Sequence, residues 1–112
     1  MNRKLKREYR VKDGSTIKLE SSWEIDLANW LDQQHIEWIR PTHLAWTDSV
    51  GNNRKYFPDF YLPKHNLYLD PKNDYHASQQ LEKLQYIQDR HNLVYGRLDY
   101  IKEMVLRQGV EP

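Results

Sequence analysis

The stretch "YFPDFYLPKHNLYLDPKN", residues 56–73, holds the side chains best suited to do chemistry. Asp59 and Asp70 each lie in a short run rich in apolar and aromatic residues, and Lys72 follows the second acid by two positions. An acid in such a run is costly to bury unless a cation compensates for its charge. An ion pair, a solvated sheet edge and a bound metal ion are three arrangements that could accommodate these acids.

The two runs have the composition of a β-hairpin whose loop is formed by residues 63–66. In that register Asp59 lies directly opposite Asp70, and opposed side chains point to the same side of the pair with Cβ atoms about 5 Å apart. Lys72 shares this face because successive side chains of a strand alternate between its two sides. The opposite face is expected to point toward the core with Phe60, Leu67, Leu69 and Pro71.

Two directly opposed carboxylates repel each other, which destabilises an exposed hairpin by up to about 1 kcal/mol. Lys72 can neutralise one acid, whereas a divalent cation between the carboxylates removes the conflict for both. Mg²⁺ prefers such hard oxygen ligands. Pro71 has no amide hydrogen, but its carbonyl is available as a further oxygen ligand. The spacing alone leaves an ion pair and a metal site equally open.

The elements that must position this hairpin begin with a helix. Ser21 and Glu24 form a capping-box pattern in front of an apolar stripe with helical spacing, which predicts a helix over about 22–34. A second stripe predicts a helix over about 76–90. Asp99 as cap and Gly109 as stop delimit a last helix.

Short apolar runs between turn residues predict the strands. They comprise "IEWIRP", the segments on both sides of a turn at residues 51–53 with the second reaching about residue 61, "NLYLDPK", and residues 92–96. The order of elements is a helix, three strands, a helix, a strand and a helix. We therefore expect an α/β domain with a central mixed sheet of about four strands flanked by helices.

The chain has 112 residues, which suits a single domain, and its composition is globular rather than disordered. We expect residues 20–112 to form this domain and residues 1–19 to form a basic arm that folds as a hairpin around a turn at Asp13-Gly14. The arm could neutralise phosphates, or it could be a solvated terminus. Its cationic residues are Arg3, Lys4, Lys6, Arg7 and Arg10.

Charge and residue usage narrow the function classes. The net charge of only +1 excludes a generic polycation, although Arg54 and Lys55 form a second small basic cluster that favours a nucleic-acid partner. The chain has no Cys, so disulfides, thiolate metal sites and a cysteine nucleophile are excluded. No apolar run approaches the roughly 18 residues of a membrane span, and we expect a soluble protein.

The motif Pro58-Asp59, ten intervening residues and then Asp70-Pro71-Lys72 resembles the signature of the PD-(D/E)XK nuclease superfamily. The run "PDFYLP" is similar to phage and bacterial members, and Glu24 matches the acid that members often carry on the first core helix. The resemblance covers residues 20–96. Two departures are Asp70, where Glu is commoner, and Pro71 at the variable position.

The resemblance implies a restriction-endonuclease-like core with the order αβββαβ and a metal-dependent endonuclease acting on DNA. Structured or branched DNA is among the implied substrates, as for junction-resolving or homing enzymes. Small relatives of this type imply a cytoplasmic protein of a bacterial or phage-infected cell. A non-catalytic nucleic-acid-binding subunit with the same fold and an RNA-directed nuclease are the alternatives.

The resemblance also assigns roles to residues. Glu24, Asp59, Asp70 and Lys72 would be the catalytic set. Glu24, Asp59, Asp70 and the backbone carbonyl of Pro71 would bind Mg²⁺, for which Mn²⁺ could substitute, and Lys72 would orient the attacking water. Cutting both strands of a duplex requires two sites, so we expect a homodimer.

Residues after the motif are expected to line the substrate groove. They are Asn73, Gln79, Gln80 and Lys83, of which Lys83 would contact a DNA phosphate. The Trp residues at positions 23, 30, 38 and 46 are expected in the core or at interfaces more often than as base-stacking platforms.

Overall fold

A computed structural model of the chain describes residues 7–10, 16–19 and 22–108. Strands β1 (Arg7–Arg10) and β2 (Thr16–Leu19) form an antiparallel pair in which Arg7 lies opposite Leu19. This pairing confirms the two extended pieces predicted for the N-terminal hairpin. The predicted turn at Asp13-Gly14 lies outside the described residues.

Helix α1 (Ser22–Gln33) confirms the first predicted helix. It buries Leu27, Ala28 and Leu31, as the spacing of its apolar stripe requires, and Glu24 is buried beside them. The helix is followed by His35 with a φ of 58°, and the amide of Ile36 donates to the carbonyl of Leu31 at 2.9 Å. Such a left-handed residue is a common way to end a helix. The predicted cap, Ser21, lies outside the described residues.

Five strands follow and form two sheets. Strands β3 (Leu44–Thr47) and β4 (Asn53–Tyr56) make an antiparallel ribbon. A mixed sheet contains β5 (Phe60–Leu62), β6 (Leu67–Pro71) and β7 (Leu93–Gly96), with β5 antiparallel and β7 parallel to β6. The α/β class and the mixed sheet are therefore confirmed, but this sheet has three strands.

The prediction of one strand from the turn at residues 51–53 through residue 61 is wrong. Pro58 lies between β4 and β5 and cannot donate to a ladder, so the chain changes sheets there. The strand predicted in "IEWIRP" is also wrong, because only Ile39 pairs, with reciprocal 2.9 Å hydrogen bonds to Tyr61. The left-handed His35 before it and Pro41 after it leave little room for a longer strand.

The helix predicted over 76–90 consists of two helices, α2 (Asp74–Gln79) and α3 (Leu81–Gln88). Gln80 separates them with a φ of −124°, outside the helical range. The last helix, α4 (Leu98–Arg107), begins after Arg97, so the prediction of Asp99 as its cap is wrong. Asp99 lies in the first turn, where a negative charge favours the helix. Gly109 lies outside the described residues.

The mixed sheet lies between two helical layers. On one face Phe60, Leu62, Leu67 and Leu69 are buried against α1 and α4. On the other face, α3 and the β3–β4 ribbon pack in a second cluster around Tyr56, Leu84, Ile87 and Leu93. Each face of the hairpin is therefore covered, and Asp70 of β6 faces the second layer, where the Tyr56 hydroxyl donates to it. Of the helices in the described ranges, none has the length and apolar character needed to cross a bilayer.

Candidate active site

A cleft of about 590 Å³ opens where α1, the β4–β5 connection, the end of β6 and the α2–α3 pair meet. Its wall is rich in charge. Three carboxylates and three lysines line it: Glu24, Asp59, Asp70, Lys55, Lys72 and Lys83. All four residues of the predicted catalytic set therefore lie in one cleft.

The hairpin register explains how two of these acids meet. Tyr61 pairs with Tyr68 and Leu62 with Leu67, as predicted. One further step beyond the last pair of the β5–β6 ladder brings Asp59 opposite Asp70. Phe60 and Leu69 form the pair between Tyr61–Tyr68 and Asp59–Asp70, and both point into the core and are fully buried.

Pro71 does not interrupt the strand. It pairs with Gly96 on β7, and the next amide, that of Lys72, donates to the Gly96 carbonyl at 2.8 Å. Pro71 was expected to face the core, but it is half-buried and lines the cleft. A proline is tolerated here because β5 does not extend far enough to need an amide donor at this position.

Asp70 is the most tightly held acid of the cluster. Its exposed fraction is 4%, and its Oδ2 atom accepts hydrogen bonds from the Tyr56 hydroxyl and from Lys72 Nζ, the latter at 2.9 Å. Lys72 Nζ also donates to Gln80 Oε1 at 3.3 Å. Burial and the Asp70 charge raise the pKa of Tyr56 above its ordinary value, so the phenol remains a donor.

Glu24 and Asp59 share a different cation. Arg40 Nη1 lies 3.0 Å from Glu24 Oε1, 3.2 Å from the Asp59 carbonyl oxygen and 3.8 Å from Asp59 Oδ1. Burial, followed by the charges of Asp70 and Glu24, raises the pKa of Asp59 to about 9, and Arg40 acts in the opposite direction. Asp59 is thus held protonated and hydrogen-bonded to Glu24, because three acids crowd one partly buried space.

The donor set fits a hard divalent cation in its chemistry. Carboxylates from three elements, Glu24, Asp59 and Asp70, line one cleft, and their mutual repulsion is what an added cation would relieve. Pro71, whose carbonyl is the further predicted ligand, lies in the same wall. Among the described residues, no three His, Asp or Glu side chains are arranged closely enough to hold a metal ion without moving.

Lysines line the cleft beside these acids. Lys83 Nζ lies 5.0 Å from the centroid of the Tyr56 ring, and burial together with the Lys72 charge lowers its pKa. Lys55 is exposed in the same wall. The cleft thus contains lysines predicted from the sequence to bind nucleic acid.

Arg54, another residue predicted to bind nucleic acid, does not line the cleft. Arg54 Nε contacts Asp48 Oδ2 at 2.6 Å, which holds the pKa of Asp48 down at about 2. Adjacent strand residues point to opposite sides, so Arg54 and Lys55 diverge. Arg7 and Arg10 lie in β1. Outside the described residues lie Arg3, Lys4 and Lys6.

Two residues of the site were missed in the sequence. Arg40 is 16 positions from Glu24 and 19 from Asp59, so no local pattern relates them. Tyr56 could have been found, because it opens the motif stretch and a buried tyrosine hydroxyl needs a partner. Of the predicted groove residues, Asn73, Gln80 and Lys83 line the cleft and Gln79 does not.

No family model, curated protein or solved structure matches this chain. The likeness to the PD-(D/E)XK superfamily therefore rests on the spacing of Pro58-Asp59 and Asp70-Pro71-Lys72 and on Glu24.

Proposed function

We propose that this protein is a metal-dependent endonuclease that hydrolyses phosphodiester bonds in DNA, with its active site in the charged cleft. One observation carries the proposal. Glu24, Asp59 and Asp70, from three separate segments of the chain, line one cleft together with Lys72. Burial, followed by the charges of Asp70 and Glu24, raises the pKa of Asp59 to about 9. A protein without use for this arrangement would gain stability by replacing one acid.

Glu24, Asp59, Asp70 and the carbonyl of Pro71 would hold Mg²⁺, and Mn²⁺ could substitute. When bound, the ion would activate water and stabilise the charge that develops on the phosphate. The restriction-endonuclease-like core belongs to the same proposal, since a mixed sheet between helices has Asp59, Asp70 and Lys72 at neighbouring strand ends, with Glu24 on the adjacent helix α1.

The chain's own residues have separable tasks. Lys72 is fixed by Asp70 at 2.9 Å and Gln80 at 3.3 Å, so its ammonium group has a defined place from which to orient the attacking water or stabilise developing charge. Lys55 and Lys83 would bind phosphates that flank the reacting one. Arg40 keeps Glu24 and Asp59 together by contacting both carboxylates.

A substrate panel tests the proposal. Supercoiled plasmid, linear duplex, a four-way junction and RNA are each incubated with Mg²⁺, Mn²⁺ or EDTA. We expect metal-dependent cleavage of at least one DNA substrate and none in EDTA. Absence of cleavage with either metal, together with retained binding, would identify a non-catalytic binding subunit. Cleavage confined to RNA would replace DNA by RNA as the substrate.

A further inference from the structure

Phe57 is a large apolar side chain in an unusual place. Its exposed fraction is 65%, and it lines the charged cleft two residues before Asp59. Among the large exposed apolar side chains of the described residues, no other lines this cleft. Tyr56 takes the buried position and Pro58 the next one, so Phe57 is left pointing outward.

The surroundings of Phe57 are polar and cationic. Lys55 precedes it by two positions and lines the same cleft, and the His43 ring lies 5.9 Å from the Phe57 ring between centroids. Most of the other residues that line the cleft are polar or charged, and the remaining three are Trp23, Tyr56 and Pro71. A mainly apolar partner surface would therefore meet mostly polar groups here. An exposed aromatic ring beside lysines is the combination that binds a nucleotide, with the base on the ring and the phosphate on the cation.

We propose that Phe57 stacks on an unpaired base of a DNA chain whose phosphates are bound by the lysines of the same cleft. The inference rests on the proposed function and specifies its substrate. In a duplex both faces of a base are covered by neighbouring base pairs, so a ring that stacks there must first separate a base step, which costs a few kcal/mol. A base at an end, a fork, a junction or in a single strand is open to the ring without that cost. The preferred DNA therefore carries unpaired nucleotides where the cleft holds the chain.

Binding in EDTA tests this inference without cleavage. Fluorescence anisotropy measures the affinity of the full chain for a single strand, a forked duplex and a blunt duplex of matched length. We expect the single strand and the fork to bind more tightly than the blunt duplex. Phe57→Ala and Phe57→Leu should weaken the first two by roughly 5- to 150-fold, the range that stacking of one base supplies. Phe57→Trp should preserve the affinity.

An abasic scan locates the stacked base. One base at a time is removed from the single strand, and one position should weaken binding to the wild type while leaving binding to Phe57→Ala unchanged. Tyr100→Ala is the matched control, since Tyr100 is an aromatic residue that is 48% exposed and lines a different cavity. Its affinities should equal those of the wild type.

Equal affinity for all three DNAs, or an abasic effect of the same size in wild type and Phe57→Ala, would overturn the inference. If the wild type nevertheless cuts duplex DNA with Mg²⁺, the endonuclease assignment stands and only the stacking role of Phe57 fails. If Phe57 governs single-strand binding but no substrate is ever cut, the stacking stands and the endonuclease assignment fails. Loss of self-association in Phe57→Ala, with DNA binding unchanged, would instead assign Phe57 to an interface between copies.

Discussion

At the scale of single residues, Asp70 shows how the fold satisfies the hydrogen-bonding needs of a buried acid in the cleft wall. A carboxylate with 4% exposure requires donors, and Tyr56 and Lys72 both bind its Oδ2 atom. These bonds also fix where the carboxylate and the ammonium group point. The residues that position Asp70 thus matter as much to the site as the acid itself.

Removing the Tyr56 hydroxyl tests this support. Tyr56→Phe keeps the ring beneath Lys83 but leaves a buried acceptor with one donor fewer, so we expect the free energy of unfolding to fall by about 1–3 kcal/mol. Urea denaturation measures it. The control is Tyr61→Phe, whose hydroxyl donates to Asn66 Oδ1 at 2.9 Å in an exposed place and should cost less than about 1 kcal/mol. Equal losses in the two variants would contradict the role given to Tyr56.

Asp59 makes the metal-free protein sensitive to pH. Its pKa rises from 3.8 to about 9 on folding, so between these values the folded state binds more protons than the unfolded state and stability falls as pH rises. Asp59→Asn removes this penalty. In EDTA, the stability advantage of Asp59→Asn over the wild type should therefore grow from about pH 4 toward about pH 9.

Thermal denaturation at several pH values measures this difference, with Asp99→Asn as the control because the Asp99 side chain is 87% exposed. An advantage that stays constant with pH, or a variant less stable than the wild type at pH 8, would contradict the crowding of the three acids. Mg²⁺ should stabilise the wild type more than Asp59→Asn. The bound ion would neutralise the Asp59 carboxylate, which the variant lacks.

At the scale of elements, local patterns were sufficient for the hairpin and not for the sheet. The register that opposes Tyr61 and Tyr68 follows from loop length and alternation, so it could be predicted together with the placement of Asp59 and Asp70. The break between β4 and β5 at Pro58 was not predicted, because partner choice depends on long-range pairing. Arg40 was missed for the same reason.

Helix α2 depends on a cap that the sequence did not reveal. The Asn73 side chain accepts from the His76 amide at 2.8 Å, and this residue also lines the cleft. Asn73→Ala should lower the free energy of unfolding by about 0.5–2 kcal/mol, whereas Asn73→Asp keeps the acceptor and should lower it less. Chemical denaturation compares the two. An alanine variant as stable as the aspartate variant would show that the cap contributes nothing.

At the scale of the whole molecule, the described residues bring acids and lysines together in one cleft. Cleaving both strands of a duplex or junction at one place then requires two copies. We expect a dimer at least when bound to DNA. Sedimentation velocity with and without a four-way junction measures it, and a single copy in both conditions would contradict this expectation.

Plasmid nicking by wild type and cleft variants with Mg²⁺ tests the central claim most directly. Asp70→Asn and Lys72→Ala should each lower the rate about 100-fold or more, because the first removes a carboxylate proposed to bind Mg²⁺ and the second an ammonium group proposed to orient water or stabilise developing charge. Circular dichroism verifies their folding, and Asp48→Asn, an acid outside the cleft, should cut like the wild type. Folded Asp70→Asn and Lys72→Ala proteins that nick the plasmid at the wild-type rate would contradict the assignment of this cleft as the active site.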